Sequence, residues 1–384
     1  MAPVQGLQRW LRSWLTAPEP RIAGRMGLFR MTYAAFYIWH LSWVDGAALG
    51  LLPDAVWQPV NLLQVVPLRP PSVLPGVIES CLVAALVLLL AGLCVRPVTL
   101  VVLVLGVLLE AFHQSFGKVE HGSVFLVFYI PLFMLGSQWG ATWSLDALRA
   151  RRAGRATTSP IDDSWRHALP MRVTLLMLVL LFLSAAFAKV ALGSWLRAPN
   201  LVTELLLGKN VEATLEGLPT NAILPFVATH PLLSESFRHG VVLFEALVVI
   251  VLVDDRLRAA YLAAALVFHA LNALLLVVTF TPILIVYALF VDWQGVTERL
   301  TPHTRWITPR LGWVPSWLLT VGVLALAALA AWSWNLTHTL RGAIQLGGRL
   351  DWRTIWYPVL PLALAWLLRA SLAILRTGIR DGED

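Results

Sequence analysis

The sequence predicts an all-α, polytopic integral membrane helix bundle of about ten transmembrane helices. Hydrophobic residues make up 58% of the 384 residues, charged residues make up only 13%, and the mean hydropathy is +0.73. Apolar stretches of about twenty residues recur along the chain, and this length crosses a hydrocarbon core of about 30 Å. The stretches are apolar throughout rather than alternating, which favours helices over a transmembrane barrel.

The ten predicted spans recur from near the N-terminus to near the C-terminus. They cover residues 26–45, 74–95, 97–116, 121–143, 170–190, 238–253, 258–277, 279–292, 315–334 and 357–375. The eighth span is short and begins beside Thr279 and Thr281, so we interpret it as part of a broken helix.

Basic residues set the predicted domain order and orientation. Residues 1–25 form a basic, amphipathic N-terminal arm that we expect on the inner membrane surface, and residues 26–292 form the membrane domain. Residues 293–384 form a cytoplasmic loop and two C-terminal transmembrane helices. Arginines concentrate in the arm and in loops on one side, which predicts that both termini are cytoplasmic. The net charge of +7 therefore reflects topology and does not indicate nucleic-acid binding.

Lys189 is the most informative residue, because it lies near the end of an otherwise apolar span. A charge at membrane depth costs roughly 2.5–3.5 kcal/mol on insertion scales, so such residues are usually paired or functional. The predicted orientation puts Lys189 near the outer leaflet. Two interpretations stay open: a polar site within the membrane, or a lysine whose ammonium group reaches the interface and does nothing else.

Two histidines lie in similar settings on the outer side of the predicted bundle. His121 begins the fourth span, where it either exchanges a proton near neutral pH or simply starts a helix in a solvated loop. His269 and Asn272 share one face of the seventh span, since they are three residues apart. They either face a polar site or hydrogen-bond to neighbouring helices and hold the bundle together.

Glu79, Glu110 and Glu245 are further acids at membrane depth, and any of them can neutralise Lys189. A lysine–glutamate pair can be structural or can relay protons, and the sequence leaves both roles open. The sequence contains no metal-ligand spacing and no phosphate-binding, dinucleotide-binding or hydrolase motif.

Four stretches of the chain form an ordered set of motifs. They are GLFRMTYAAFYIWHL at 27–41, EHGSVFLVFYIPLFMLGSQWGATWSLDAL at 120–148, FLSAAFAKVALGSWL at 182–196 and FEALVVIVLVDDRLRAAYLAAALVFHALNALLLVVTFTPILIVYALF at 244–290. In this order and spacing they resemble the bacterial HTTM (horizontally transferred transmembrane) family, which is related to the membrane domain of vitamin K-dependent gamma-carboxylase. The resemblance covers most of residues 26–292.

The resemblance implies a role for each candidate residue. Lys189 matches the lysine that deprotonates reduced vitamin K, and His121 matches a histidine that assists near the carbanion or carbon dioxide. His269 and Asn272 match a motif near the quinone pocket. The implied cofactor is reduced vitamin K or a menaquinone-like quinone, with carbon dioxide and oxygen as co-substrates. The implied substrate is a protein or peptide glutamate, and the implied location is the bacterial inner membrane.

The chain also departs from the carboxylase pattern. The animal motif has two adjacent lysines where this sequence has only Lys189, and Lys118, Val119 and Glu120 replace the tryptophan–asparagine context before His121. We also expect no counterpart of the large external domain that binds substrate propeptides. These differences are compatible with a quinone pocket and weigh against protein carboxylation.

Two other classes of function stay open. The first is a non-enzymatic transporter, lipid-binding protein or partner subunit, motivated by the intramembrane acids and by the predicted break near residues 279–282. The second is a scaffold whose polar residues only hold helices together. A scaffold predicts that Lys189→Met is neutral or stabilising, because an apolar group replaces a buried charge.

Overall fold

A computed structural model of the protein describes most of the chain, and its elements are helical. The described residues are 2–19, 22–43, 45–65, 69–117, 122–155, 165–191, 193–198, 200–215, 223–276, 278, 280–291, 293, 295, 315–344 and 355–380. No strand occurs among these residues, as the sequence predicts.

The helices are numbered here in chain order. They are α1 (Ala2–Thr16), α2 (Ile22–Leu41), α3 (Gly46–Leu51), α4 (Leu74–Ala91), α5 (Val95–Ser115), α6 (Ile130–Leu135), α7 (Leu145–Arg152), α8 (Trp165–Ala191), α9 (Ser194–Arg197), α10 (Leu201–Leu215), α11 (Ile223–Ala228), α12 (Pro231–Ala246), α13 (Asp255–Leu276), α14 (Leu284–Ala288), α15 (Ser316–Ile344) and α16 (Trp356–Arg380). A π-helical turn precedes α6, and tighter 3₁₀ turns follow α12 and precede α14.

The chain forms two compact units. The first comprises Met1–Thr174 and Thr281–Arg349, and the second comprises Leu175–Phe280 and Leu350–Asp384. In the first unit α4 is central and contacts α2, α5 and α15. In the second unit α13 packs along α16. The division into an arm, a membrane domain and a C-terminal pair of spans stays a prediction.

Six helices in the described part of the chain are long and apolar enough to cross a membrane. They contain the segments Leu74–Ala91, Val95–Ser115, Ala168–Ala191, Asp255–Leu274, Ser316–Trp334 and Trp356–Ile374. Each coincides with a predicted span. The protein is therefore a helical integral membrane protein, and the count of about ten spans stays a prediction.

Three of the other predicted spans have an irregular backbone. The fourth is an apolar helix only over Phe125–Leu135 and begins with a π-helical turn. The sixth leaves α-helical geometry after Ala246 and continues as a 3₁₀ helix over Leu247–Leu252. The eighth contains the five-residue helix α14, after a 3₁₀ turn over Thr281–Ile283.

A buried arginine joins the first two motif stretches within the first unit. Arg30 on α2 is fully buried, and its guanidinium donates hydrogen bonds to the backbone carbonyls of Trp139, at 3.1 Å, and Trp143. The Asp146 carboxylate accepts bonds at 3.0 Å from the N–H groups of residues 94–95, at the start of α5. Each of these bonds has one charged partner, which makes it stronger than a bond between neutral groups.

Gly92 makes this arrangement possible at the end of α4. Its φ is +71°, in the left-handed region, and its N–H caps the helix by donating to the carbonyls of residues 88–89. A Cβ on Gly92 would lie 2.3 Å from the Cβ of Ser144 and 2.8 Å from a guanidinium nitrogen of Arg30. Glycine is therefore required both for the backbone conformation and for the close approach.

We expect Gly92→Ala to destabilise the first unit by about 1–3 kcal/mol, through the left-handed strain and the clash with Ser144. Gly24→Ala is the matched control, because Gly24 lies within α2 and has open space around its Cα. The control should be neutral or stabilising by up to about 1 kcal/mol. Unfolding in mixed micelles, followed by circular dichroism, measures both. Equal stability of the two variants would contradict this account.

Candidate functional site

The second unit contains three of the four predicted site residues. Lys189 lies near the C-terminal end of α8, and His269 and Asn272 lie one turn apart on α13. The fourth, His121, lies outside the described residues, so its position stays a prediction.

Lys189 forms an ion pair with Glu245. Its Nζ lies 2.8 Å from each carboxylate oxygen of Glu245, at the C-terminal end of α12. The side chains are 22% and 8% exposed, respectively, so the pair is largely withdrawn from solvent. The lysine therefore points to a specific partner, and of the three acids that the sequence offered, Glu245 neutralises it.

The other two acids have hydrogen-bond partners in the first unit. Glu79 accepts bonds from the N–H of Gly46, at 2.8 Å, and from the indole N–H of Trp334, at 3.0 Å. Glu110 accepts a bond at 2.7 Å from the hydroxyl of Ser123. These contacts tie α3 and α15 to α4, and the segment after residue 121 to α5. Glu79 and Glu110 thus have structural roles in the described contacts.

Trp195 covers the lysine end of the pair. The Lys189 ammonium lies 5.5 Å from the centre of the Trp195 ring, which is cation–π distance. The Trp195 indole N–H donates a hydrogen bond at 3.0 Å to the backbone carbonyl of Arg238, on α12. Lys189 is therefore held by a carboxylate and by an aromatic face.

An aromatic cluster adjoins the ion pair within the second unit. Its members are Phe182, Phe244, Tyr261, Phe268, His269 and Phe280. His269 is 3% exposed, and its ring lies 5.7 Å from Phe182 and 4.7 Å from Phe280 between ring centres. Phe244 and Tyr261 are stacked at 4.9 Å. The polar imidazole of His269 is thus surrounded by aromatic rings.

Helical periodicity explains why the cluster and the ion pair adjoin. Phe182 and Lys189 are seven residues apart on α8, or about two turns, so they share a face roughly 10 Å apart. Phe244 immediately precedes Glu245 on α12. Tyr261 and His269 are separated by eight residues on α13 and lie on similar faces. The same three helices therefore supply both the aromatic rings and the charges.

Hydrogen bonds cap the helix α13 at both ends. Before its first turn, bonds from the N–H groups of Leu257 and Arg256 hold the pKa of the Asp254 carboxyl below its usual value. At the other end, the Asn272 carbonyl accepts a bond at 3.3 Å from the N–H of Val278. The side chain of Asn272 is partly buried.

The arrangement is suited to proton exchange. A carboxylate at 2.8 Å can accept a proton from the Lys189 ammonium, which leaves a neutral amine beside a neutral carboxyl group. Among the described residues, no group of three or more His, Cys, Asp or Glu side chains is placed to hold a metal ion.

Sequence reasoning did not identify the aromatic cluster or the role of Trp195. The seven-residue spacing from Phe182 to Lys189 was a usable signal for the shared helix face. The contact of Trp195 with Lys189 depends on a turn after α8. The contact of Glu245 with Lys189 joins two helices, and the two residues are 56 positions apart in the chain. Neither follows from local spacing.

Comparisons with protein-family models, curated proteins and solved structures find no match to this chain. The resemblance of the four motif stretches to the HTTM family therefore stays a prediction from the sequence.

Lys189→Met should destabilise the protein, because it leaves Glu245 as a buried carboxylate without its cation. Breaking a buried pair costs about 3–5 kcal/mol, and we expect the lower part of that range because Lys189 keeps 22% exposure. The double variant Lys189→Met/Glu245→Met should recover wild-type stability to within about 1 kcal/mol. Unfolding in mixed micelles measures both variants.

Lys209→Met is the control for that comparison, because Lys209 forms a more exposed pair with Glu212 on α10. Its loss should change stability by less than about 1 kcal/mol. Equal destabilisation by the single and double variants would show that the pair does not account for the loss.

Proposed function

We propose that this chain is an integral membrane enzyme of the HTTM family, with a quinone-linked site in its second unit and Lys189 as the base. The observation that carries the proposal is the Lys189–Glu245 ion pair beside an aromatic cluster that contains His269. A scaffold needs only the ion pair. The aromatic rings and the buried imidazole next to the pair support the proposal of a ligand site.

We propose a reduced quinone of the vitamin K or menaquinone type as the ligand of this site. Such a ring is flat and apolar with two hydroxyl groups, and the cluster offers aromatic faces around Phe182 and His269, with acid–base groups at one end. When bound, this cofactor supplies, with oxygen, the strong base that carboxylase chemistry requires. His269 and Asn272 are the residues proposed to hold it.

Lys189 acts as a base once Glu245 has taken its proton. With a quinone bound, the neutral amine of Lys189 would be the group that accepts a proton at the polar end of the cluster, and Glu245 would hold the proton that Lys189 released. The pair is largely withdrawn from solvent, which limits the competition from protons of water. In this proposal Glu245 is a positioning and proton-holding partner, and Lys189 is the catalytic residue.

The remaining roles follow the resemblance. We propose that His121 assists near the carbanion or carbon dioxide, with carbon dioxide and oxygen as co-substrates. The substrate that the resemblance implies is a glutamate side chain of a protein or peptide, and the departures before His121 and at the single Lys189 weigh against a protein as that substrate. We further propose ten spans in a bacterial inner membrane, with cytoplasmic termini. This topology puts Lys189 and His269 toward the outer leaflet, where a substrate arrives from outside.

A second candidate function is a non-enzymatic membrane protein, either a transporter or a protein that binds a lipid or partner. The observation that favours it is that both oxygens of Glu245 lie within hydrogen-bond distance of the Lys189 ammonium, as expected of a structural pair. The two candidates differ in whether a quinone binds and turns over.

The test begins with native mass spectrometry and lipid extraction on gently purified protein. We expect a co-purifying quinone in the wild type. Turnover of reduced menaquinone, with labelled carbon dioxide and a glutamate-containing peptide, should fall roughly 10²- to 10⁴-fold in Lys189→Ala, the usual contribution of a general base. Lys209→Ala should retain wild-type turnover.

Unchanged quinone-dependent turnover in Lys189→Ala would overturn the assignment of the base. A bound phospholipid or solute without quinone would instead favour the non-enzymatic candidate.

A further inference from the structure

The chain turns sharply after α8 and carries Trp195 back over Lys189. Gly193 has φ +72°, in the left-handed region that favours glycine, and its carbonyl accepts a bond at 3.0 Å from the N–H of Arg197. The short helix α9 that follows presents the Trp195 ring to the Lys189 ammonium at 5.5 Å.

Arg238, on α12, binds the backbone of this turn. Its guanidinium donates hydrogen bonds at 3.1 Å to the carbonyls of both Leu196 and Ala198, and it pairs with Glu235 one turn earlier on the same helix. Its side chain is only 11% exposed. The planar guanidinium suits this double contact, whereas a lysine ammonium offers a single point of attachment.

The two residues bind each other reciprocally. The Trp195 indole donates to the backbone carbonyl of Arg238, at 3.0 Å, while the Arg238 side chain binds the carbonyls that follow Trp195. Seven residues after Arg238, α12 carries Glu245, which binds Lys189. One helix therefore holds both the carboxylate and the aromatic cover of the lysine.

Trp195 packs against a small apolar core. Its buried members come from α10 and α11, and Trp195 packs against them; they are Val202, Leu206, Leu224, Val227 and Ala228. The Thr203 hydroxyl joins α10 to the carbonyl of Ala228, at 3.3 Å, and to the hydroxyl of Ser234, at 2.9 Å. The helices α9 to α12 are therefore joined to one another by packing and hydrogen bonds, and together they form what we call the platform beside the ion pair.

We propose that Arg238 is a positioning residue that holds the Trp195 indole over the Lys189 ammonium, so that the platform closes the polar end of the site against water. The significance of this role rests on the proposed function, in which Lys189 is the base. The geometry itself does not depend on the identity of the substrate or cofactor.

The proposal predicts how accessible the Lys189 amine is to a water-soluble reagent. Removal of the indole removes both the cation–π contact and the cover over the ammonium. A cation–π contact contributes about 0.5–2 kcal/mol, which corresponds to a change of roughly 2- to 30-fold. We therefore expect the rate of Lys189 modification, relative to that of Lys209, to rise by this factor in Trp195→Leu.

The experiment treats the purified full-length protein with trinitrobenzenesulfonate and quantifies the modified peptides by mass spectrometry. Lys209 is the internal reference in each sample. Arg238→Met should raise the Lys189 to Lys209 ratio as Trp195→Leu does, and Arg238→Lys should give an intermediate ratio. Arg258→Lys is the control, because Arg258 binds the carbonyl of Val251 and pairs with Asp255, away from the turn.

Fluorine NMR of protein labelled with 5-fluorotryptophan provides a second readout that a purely structural role would not move. Trp195→Phe assigns the Trp195 resonance. The resonance should shift in Lys189→Met, which removes the cation, and stay in place in Lys209→Met. This measurement keeps the proposal testable where an Arg238 variant does not fold.

An unchanged Lys189 to Lys209 modification ratio in Trp195→Leu would overturn the proposal. A Trp195 fluorine resonance with the same chemical shift in Lys189→Met as in the wild type would also overturn it. A raised ratio in Arg258→Lys equal to that in Arg238→Lys would also overturn it. Loss of quinone turnover in Lys189→Ala tests the proposed function alone, so the two ideas fail independently.

Discussion

A charged side chain on a membrane-spanning helix must find its partner within the protein, and both units of this chain are organised by that constraint. In the second unit the Lys189 ammonium meets both oxygens of Glu245 and the face of Trp195. In the first unit the Arg30 guanidinium meets backbone carbonyls at Trp139 and Trp143. The hydrogen-bond partners of the two cations differ: Lys189 donates to a carboxylate, and Arg30 donates to backbone carbonyls.

That difference separates a structural charge from a candidate reactive one. Backbone carbonyls give Arg30 no proton acceptor, and its guanidinium stays charged under all ordinary conditions. The Lys189 ammonium and the Glu245 carboxylate lie 2.8 Å apart, so an acid and a base are in direct hydrogen-bond contact. The pair therefore combines the stability of a satisfied charge with the chemistry of an acid and a base held together.

The sequence predicts the regular part of the fold well and the irregular part poorly. Six long apolar runs suffice to identify α4, α5, α8, α13, α15 and α16, because hydropathy over about twenty residues is a local property. The predicted span at 238–253 fails to anticipate the change to 3₁₀ geometry after Ala246, since backbone tightening depends on packing rather than on composition. Similarly, Phe125–Tyr129 is apolar enough for an α-helix yet forms a π-helical turn.

The sequence likewise predicts some features of the candidate site, whereas others depend on the tertiary structure. The position of Lys189 within a span indicates that it needs a partner, but choosing Glu245 over Glu79 and Glu110 requires the tertiary structure. His269 is buried on α13. Its aromatic neighbours come from other segments of the chain, and no spacing within α13 reveals them. His121 lies outside the described residues.

The separation of Lys189 from Glu245 has a consequence for biosynthesis. The ribosome completes α8 before it begins the stretch that contains the carboxylate, because the two residues are 56 positions apart. At about 5–20 residues per second, this gap lasts roughly 3–11 s. During that interval the nascent helix carries an unpaired cation, which favours a hydrated position at the membrane surface or inside the insertion machinery. The ion pair between Lys189 and Glu245 can therefore form only after α12 has been synthesised.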